Sequence, residues 1–145
     1  MRNIKFKEIA EFSYGKMPSK NLINDKEKYP IFSGYIYSGF YPYSNCQKDS
    51  LILIARGVGG TGDVKFTKQD CWLTNLSIKI NIKSCNVLSR YLYYKFQANN
   101  LNFLNSGSAQ PQITIGDLSE LTIDIHDLSI QHSIVNTISL TSIFQ

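Results

Sequence analysis

Gly57-Val58-Gly59-Gly60-Thr61-Gly62 spells G-x-G-x-x-G, the pattern of a loop that cradles phosphate. A dinucleotide site needs a helix directly after the third glycine, so that its amides meet the pyrophosphate. Here residues 63–67 alternate like a strand, and no acid stands near residue 82 to bind a ribose. The kinase form accepts a hairpin, but no catalytic-loop or D-F-G signature accompanies it. No Lys-Ser/Thr pair follows, which excludes a Walker loop. Two readings remain open. One is a tight hairpin whose glycines take positive φ. The other is a seat for a phosphate oxygen, built from Arg56 and the bare amides of Gly57 and Gly59.

Asp63-Val64-Lys65 has the D-x-K form of a metal-dependent nuclease, with Asp49 upstream as a second carboxylate. The acids would hold Mg²⁺ and Lys65 would orient water. A single exposed strand of alternating charge explains the same triplet. Asp124, His126 and Asp127 cluster near a loop, as a solvated pair often does. No serine or cysteine stands with a base and an orienting acid in a recognisable order. The sequence therefore offers no catalytic centre and no cofactor site.

The aromatic residues offer more. Tyr35, Tyr37, Phe40, Tyr41 and Tyr43 occupy one glycine-punctuated stretch. If it is extended, alternate members face opposite sides. One set can enter the core while the other presents hydroxyls outward. Lys16, Lys20, Lys48 and Arg56 flank them. That combination suits a nucleic-acid face, with cations on phosphates and polar tips on groove edges. Asn, Gln and Ser within residues 105–112 add amide groups of the kind that pair with adenine.

These groups need elements to hold them. Residues 7–12 read as a short helical turn with Ile9 and Phe12 on one face. Residues 13–28 read as a polar loop. Residues 29–43 suit short strands broken by turns at Ser33-Gly34 and Ser38-Gly39. A buried strand is predicted over residues 51–56, then the glycine loop, then strands over 63–67 and 72–82. In the last of these, Leu76, Ile78, Ile80 and Ile82 recur at period two. Asn86 is a candidate N-cap for a helix over 87–99, with Leu88, Tyr91, Leu92 and Lys95 on one stripe. A polar loop over 105–112 leads to a helical turn at 116–120 and a strand at 121–125. Leu128–Ile143 reads as a terminal helix aligning Ile130, Ile134, Ile138 and Thr141. Strands and helices mix without βαβ alternation, which favours an α+β domain.

The 145 residues suit one domain, and 43% hydrophobic content supplies its core. Charge is unevenly spread. Residues 1–95 hold all 15 Lys and Arg against 7 acids, a net of +8, and residues 96–145 hold only 4 acids. The longest aliphatic run, residues 51–55, is far short of the ~20 residues of a spanning helix. The N-terminus carries no signal-peptide core. Cys46, Cys71 and Cys85 form no CxxC and, with two histidines, no zinc pattern, so reduced thiols in the cytoplasm are expected.

Taken in order, these pieces resemble the target-recognition domain of type I restriction–modification specificity subunits. Phe6-Lys7-Glu8-Ile9-Ala10 and Tyr14-Gly15-Lys16 look like the family's first helix and glycine-containing loop. Tyr29-Pro30-Ile31-Phe32-Ser33-Gly34 is similar to its "YP" segment. Residues 51–57, with Gly59-Gly60, resemble its core strand and turn. Trp72-Leu73-Thr74-Asn75 looks like its W-x-x-N strand, and Tyr91-Leu92-Tyr93-Tyr94 like its Y-L helix. Gly107-Ser108-Ala109-Gln110-Pro111-Gln112-Ile113 is the most specific match. Leu118, Leu121 and Ile123 follow it, then Leu128, Gln131, Ile134 and Val135. Asp124-Ile125-His126-Asp127-Leu128 departs from the family's proline-rich junction.

The resemblance implies a non-catalytic DNA reader without a cofactor. It implies an α+β domain with a single mixed sheet, short helices and a truncated C-terminal helix. Residues 1–125 would form the recognition domain, and 126–145 a stub of the conserved spacer helix. The reader would bind double-stranded DNA at one half of a bipartite target. It would direct methyltransferase (modification) subunits, and a restriction subunit, to that target. A second recognition domain or a homodimer partner would supply the other half. The residues expected at the DNA are Lys16, Lys20, Tyr35, Tyr37, Tyr41, Arg56, Gly57, Gly59, Lys65, Asn75, Ser108, Gln110 and Gln112. Two rival expectations stand beside it. One is a truncated interaction module without DNA affinity, and the other is the nuclease at Asp63 and Lys65.

Overall fold

The computed structural model describes residues 1–57, 59–105 and 110–143. Nine strands occur among them: β1 (Arg2–Lys5), β2 (Ala10–Tyr14), β3 (Tyr29–Phe32), β4 (Tyr37–Tyr41), β5 (Leu51–Ile54), β6 (Val64–Phe66), β7 (Trp72–Leu73), β8 (Ser77–Ile82) and β9 (Thr122–Ile125). Three α-helices join them: α1 (Ser89–Ala98), α2 (Ile115–Glu120) and α3 (Leu128–Ile143). The fold is α+β, as expected, but its strands form three sheets where a single mixed sheet was expected. The largest is antiparallel, in the order β2-β8-β5-β6. The second, β4-β3-β7, is mixed, since β3 pairs antiparallel with β4 and parallel with β7. The third is the pair β1-β9.

β5 shows why its sequence is apolar throughout. Leu51 and Leu53 face the main core, opposite Ile80 and Ile78 of β8. Ile52 faces a second, smaller core with Phe32, Cys46, Cys71 and Leu73. A strand covered on both faces has no use for polar alternation. α1 closes the main core with Tyr91, Leu92 and Phe96. Each such side chain contributes about 2 kcal/mol of burial.

Cys46 and Cys71 meet in the smaller core across an isolated antiparallel bridge, each amide bonded to the other's carbonyl. All three cysteines are free thiols. The hydrogen bond from Cys71 brings the Cys46 thiol down to about 7, and the same contact raises Cys71.

Several elements differ from expectation. The turn at 7–12 is instead a 3-10 turn at Phe6–Glu8 followed by β2. Phe6 is the buried anchor there, and Phe12 pairs with Ile80 in the sheet. The strand over 72–82 breaks at residues 74–76, where the Ser77 amide donates back to the Thr74 carbonyl and the chain passes from pairing with β3 to pairing with β5 and β2. Ser38-Gly39 is no turn. It lies inside β4, where Gly39 has φ +103° opposite an irregular register at Pro30 and Phe32. α1 is capped at Leu88, not Asn86; the Leu88 amide donates to the Gln131 side chain. α3 has the expected bounds but a rotated face. Gln131, Ile134 and Val135 turn inward, and Ile130 is exposed. The bonds of fully buried Gln131 fix that rotation. Among the described residues no helix is long and apolar enough to cross a membrane.

Candidate nucleic-acid interface

The turn at Thr74-Asn75-Leu76, with Ser77, gathers four separate stretches of chain. The Gly15 amide donates to the Ser77 carbonyl at 3.0 Å, and the Lys16 amide to Leu73 at 2.8 Å. Gly15 passes so close that a Cβ there would lie 2.0 Å from the Thr74 carbonyl oxygen. From the second side, the Ser77 hydroxyl donates to the Ser33 carbonyl at 2.8 Å. From the third, the Ala55 and Arg56 amides share the Leu76 carbonyl. The fourth stretch follows behind: Ile113 donates to Ala55, and Gln112 bridges Arg56. Lys16, Asn75, Arg56 and Gln112 therefore surround one turn. Ser77 is completely buried and holds this junction. Only its place in the strand pattern marked it in the sequence.

Arg56 differs from its neighbours. Its Nε is buried and has no hydrogen-bond partner. The side chain lines a cavity of about 170 Å³ with Tyr14, Ala55, Gln112 and Ile113. Nε itself is closed to solvent, so a phosphate oxygen would be met by the terminal nitrogens of this half-buried guanidinium.

The glycine loop is a hairpin between β5 and β6, with no helix after it. Gly57, Gly59, Gly60 and Gly62 all have positive φ. Gly60 carries a second constraint: a Cβ there would lie 1.9 Å from the Tyr35 ring. Tyr35 rests on the loop and donates from its hydroxyl to Asp63. That bond, more than burial or the nearby charge, holds the phenol above its usual range. Lys65 lies over the same ring, 3.8 Å from its centre. Tyr37 stacks on Phe32 at 4.5 Å and stays exposed. Tyr35, Tyr37 and Lys65 thus form a second group beside the loop.

Other expected residues lie apart. Lys20 is exposed in a 3-10 turn at Lys20–Leu22. Tyr41 departs from expectation. It is only 4% exposed, packs on Trp72 and accepts a bond from the Ser19 amide, so it holds the loop rather than facing a ligand. Gly57, Gly59 and Gln110 are exposed. Ser108 lies outside the described residues.

The nuclease arrangement finds little support. The Asp63 carboxylate already accepts from Tyr35 and from Asn100 at 3.1 Å. Among the described residues no three His, Cys, Asp or Glu side chains gather as a metal site. His126 is structural, with Nδ1 2.7 Å from the Tyr91 hydroxyl.

This fold is that of a DNA target-recognition domain. The chain belongs to the family of type I restriction modification DNA specificity domains, whose model matches residues 1–141. Its structure is similar to the S subunit of a type I restriction–modification system from M. genitalium, with TM-score 0.80 and 26% identity over 96% of this chain. A chain from a study of complex assembly and conformational transition in the type I system matches at TM-score 0.81 and 15% identity, over 97% of this chain. The HsdS subunit of Thermoanaerobacter tengcongensis matches at 0.71 and 16%, over 96%. The chain spans 38%, 38% and 36% of those three chains, respectively. No curated protein matches it significantly.

Proposed function

We propose that this chain reads DNA sequence as one half of a bipartite recognition device. The observation that carries the reading is the gathering of Lys16, Asn75, Arg56 and Gln112 about the Thr74–Ser77 turn. Amide side chains read base edges, and cations fix the register on phosphates. Lys20, Tyr35, Tyr37, Lys65, Gly57, Gly59, Gln110 and Ser108 extend that surface in this reading. The chain itself performs no chemistry. Modification subunits bound to it methylate the target, and a restriction subunit acts through the same complex, in the cytoplasm. Residues 1–125 serve recognition, and 126–145 belong to the spacer helix that meets partners.

Electrophoretic mobility shift at ~50 mM salt tests the DNA contact, because half-site affinity is mostly electrostatic. Co-expression with a cognate modification subunit tests the recognition itself. One enriched methylated adenine motif across the host genome is the expected result. No binding at low salt and no new methylation would sink the reading.

A second reading has its own observation. α3 contains no charged residue and leaves Ile130 and Leu140 exposed. Such a helix suits contact with another protein, either a second recognition domain or a copy of this chain. A module that only docks would join a modification complex without shifting DNA in the gel.

A further inference from the structure

A groove of about 630 Å³ runs between α1 and β6, and its lining shares no residue with the Thr74–Ser77 turn. Its strand wall is Lys65, Phe66, Thr67 and Lys68, and its helix wall is Arg90, Tyr93 and Gln97. Lys48 and Asp49 complete the lining. Four cations thus face one carboxylate. The ion pairs found among the described residues join Lys5 and Lys7 to Glu120, and leave these four cations unpaired.

The walls hold their cations on aromatic surface. The Arg90 guanidinium lies over the Phe66 ring, 4.9 Å from its centre. Phe66 packs in turn on Tyr93 at 4.8 Å. Gln97 ties helix to strand through a 2.7 Å bond to the Val64 carbonyl. A ring under a guanidinium fixes its position without occupying its N–H donors. Those donors remain for an anion with several oxygens. The groove also continues into a neighbouring hollow. Lys65, Phe66 and Lys68 line both, and the hollow adds Tyr35 and Tyr37. A linear polyanion fits this continuity better than a compact one.

We propose that the groove between α1 and β6 seats the sugar–phosphate backbone of DNA flanking the sequence read at the Thr74–Ser77 turn. The inference rests on the DNA-reading proposal above and adds a contact region to it. Its cations fix position and carry no base specificity.

The test uses the full chain with K48Q/K68Q. Both lysines are exposed, and neither lies over an aromatic ring or pairs with a carboxylate among the described residues. Fluorescence anisotropy with a labelled duplex is measured across a salt series. If each lysine neutralises one phosphate, the slope of log K against log[salt] falls by about 2. Affinity should drop in parallel for unrelated duplexes. R90Q should lower the slope by about 1 more, its folding checked by circular dichroism.

An unchanged slope, with wild type binding DNA, would overturn the groove and leave the reading surface standing. Wild type failing to bind at any salt would overturn both proposals. Loss of a modification subunit in pull-down, with the DNA slope intact, would make the groove a protein contact and overturn the assignment.

Discussion

The Lys65 ammonium lies 3.8 Å from the centre of the Tyr35 ring, whose hydroxyl is donated to Asp63. The ring is seated by the missing side chain of Gly60. Two glycine variants separate the seat from the backbone. Gly59 and Gly60 have φ of +79° and +75°, so alanine at either costs about 1 kcal/mol in conformation alone. Nothing lies within 4 Å of a Cβ at Gly59, whereas one at Gly60 collides with Tyr35. Both G59A and G60A should therefore melt lower, by about 3 °C or more. G60A should weaken DNA binding more than G59A, since it displaces the Tyr35 ring as well as adding a methyl group to the loop. Equal binding by the two variants would remove Tyr35 from the contact surface.

Arg56 should show opposite effects on stability and on binding. Its Nε is buried without a partner, a feature that costs about 1–3 kcal/mol in a folded protein. R56M keeps most of the stem's packing and removes the unpaired donor. It is expected to be as stable as wild type in urea, or more stable. Its affinity for every duplex should fall, and its salt slope should drop by about 1. A destabilised R56M with an unchanged slope would assign Arg56 to packing alone.

The legibility of the sequence varied with the range of the forces involved. The core strand β5 and the bounds of α3 follow from local pattern, since unbroken aliphatic and helical runs leave few choices. The break at Thr74-Asn75 has no glycine or proline to announce it; it falls where the chain leaves β3 at Leu73 and joins β5 and β2 from Ser77 on, pairings that only the fold brings together. Tyr37 and Tyr41 share a face by simple alternation, yet one is exposed and the other buried. The irregular register around Gly39 breaks that alternation. The groove was not read from the sequence: Arg90, Tyr93 and Gln97 recur at helical spacing on α1, but that spacing marks one helix face and not what it faces. Only the fold brings β6, its strand wall, beside that helix.

Glu120 gives a pH-dependent prediction with a definite sign. Lys5 and Lys7 bond to its two oxygens at 2.7 and 2.8 Å and bring its carboxyl down to about 2. A carboxylate depressed on folding stabilises the fold above its unfolded pKa of about 4.3. That contribution is lost as pH falls from there through about 2. All three groups are exposed, so the effect should be small and should fade with added salt. E120Q should melt slightly below wild type at neutral pH and match it near pH 2. A constant gap across that range would point to packing rather than charge.

Gln131 should be the most sensitive position on α3. It is fully buried, and its Oε1 accepts from the Leu88 amide at the start of α1. Its Nε2 donates to the carbonyls of Asn86 and His126 at 2.9 and 2.8 Å. Q131A strands one donor and two acceptors in the interior, a loss of about 3 kcal/mol or more. Proteolysis should then cut near the β9–α3 junction before the rest of the domain. Q131E makes the cause visible. Its Oε1 can still take the Leu88 amide, but an ionised oxygen would face two carbonyls. Its folded pKa should therefore rise above the unfolded value, since the protonated form can donate to one of them. The stability of Q131E should accordingly improve as pH falls through that raised pKa, while Q131A gains nothing over the same range. Parallel pH profiles for the two variants would show that shape at this position, not hydrogen bonding, docks the helix.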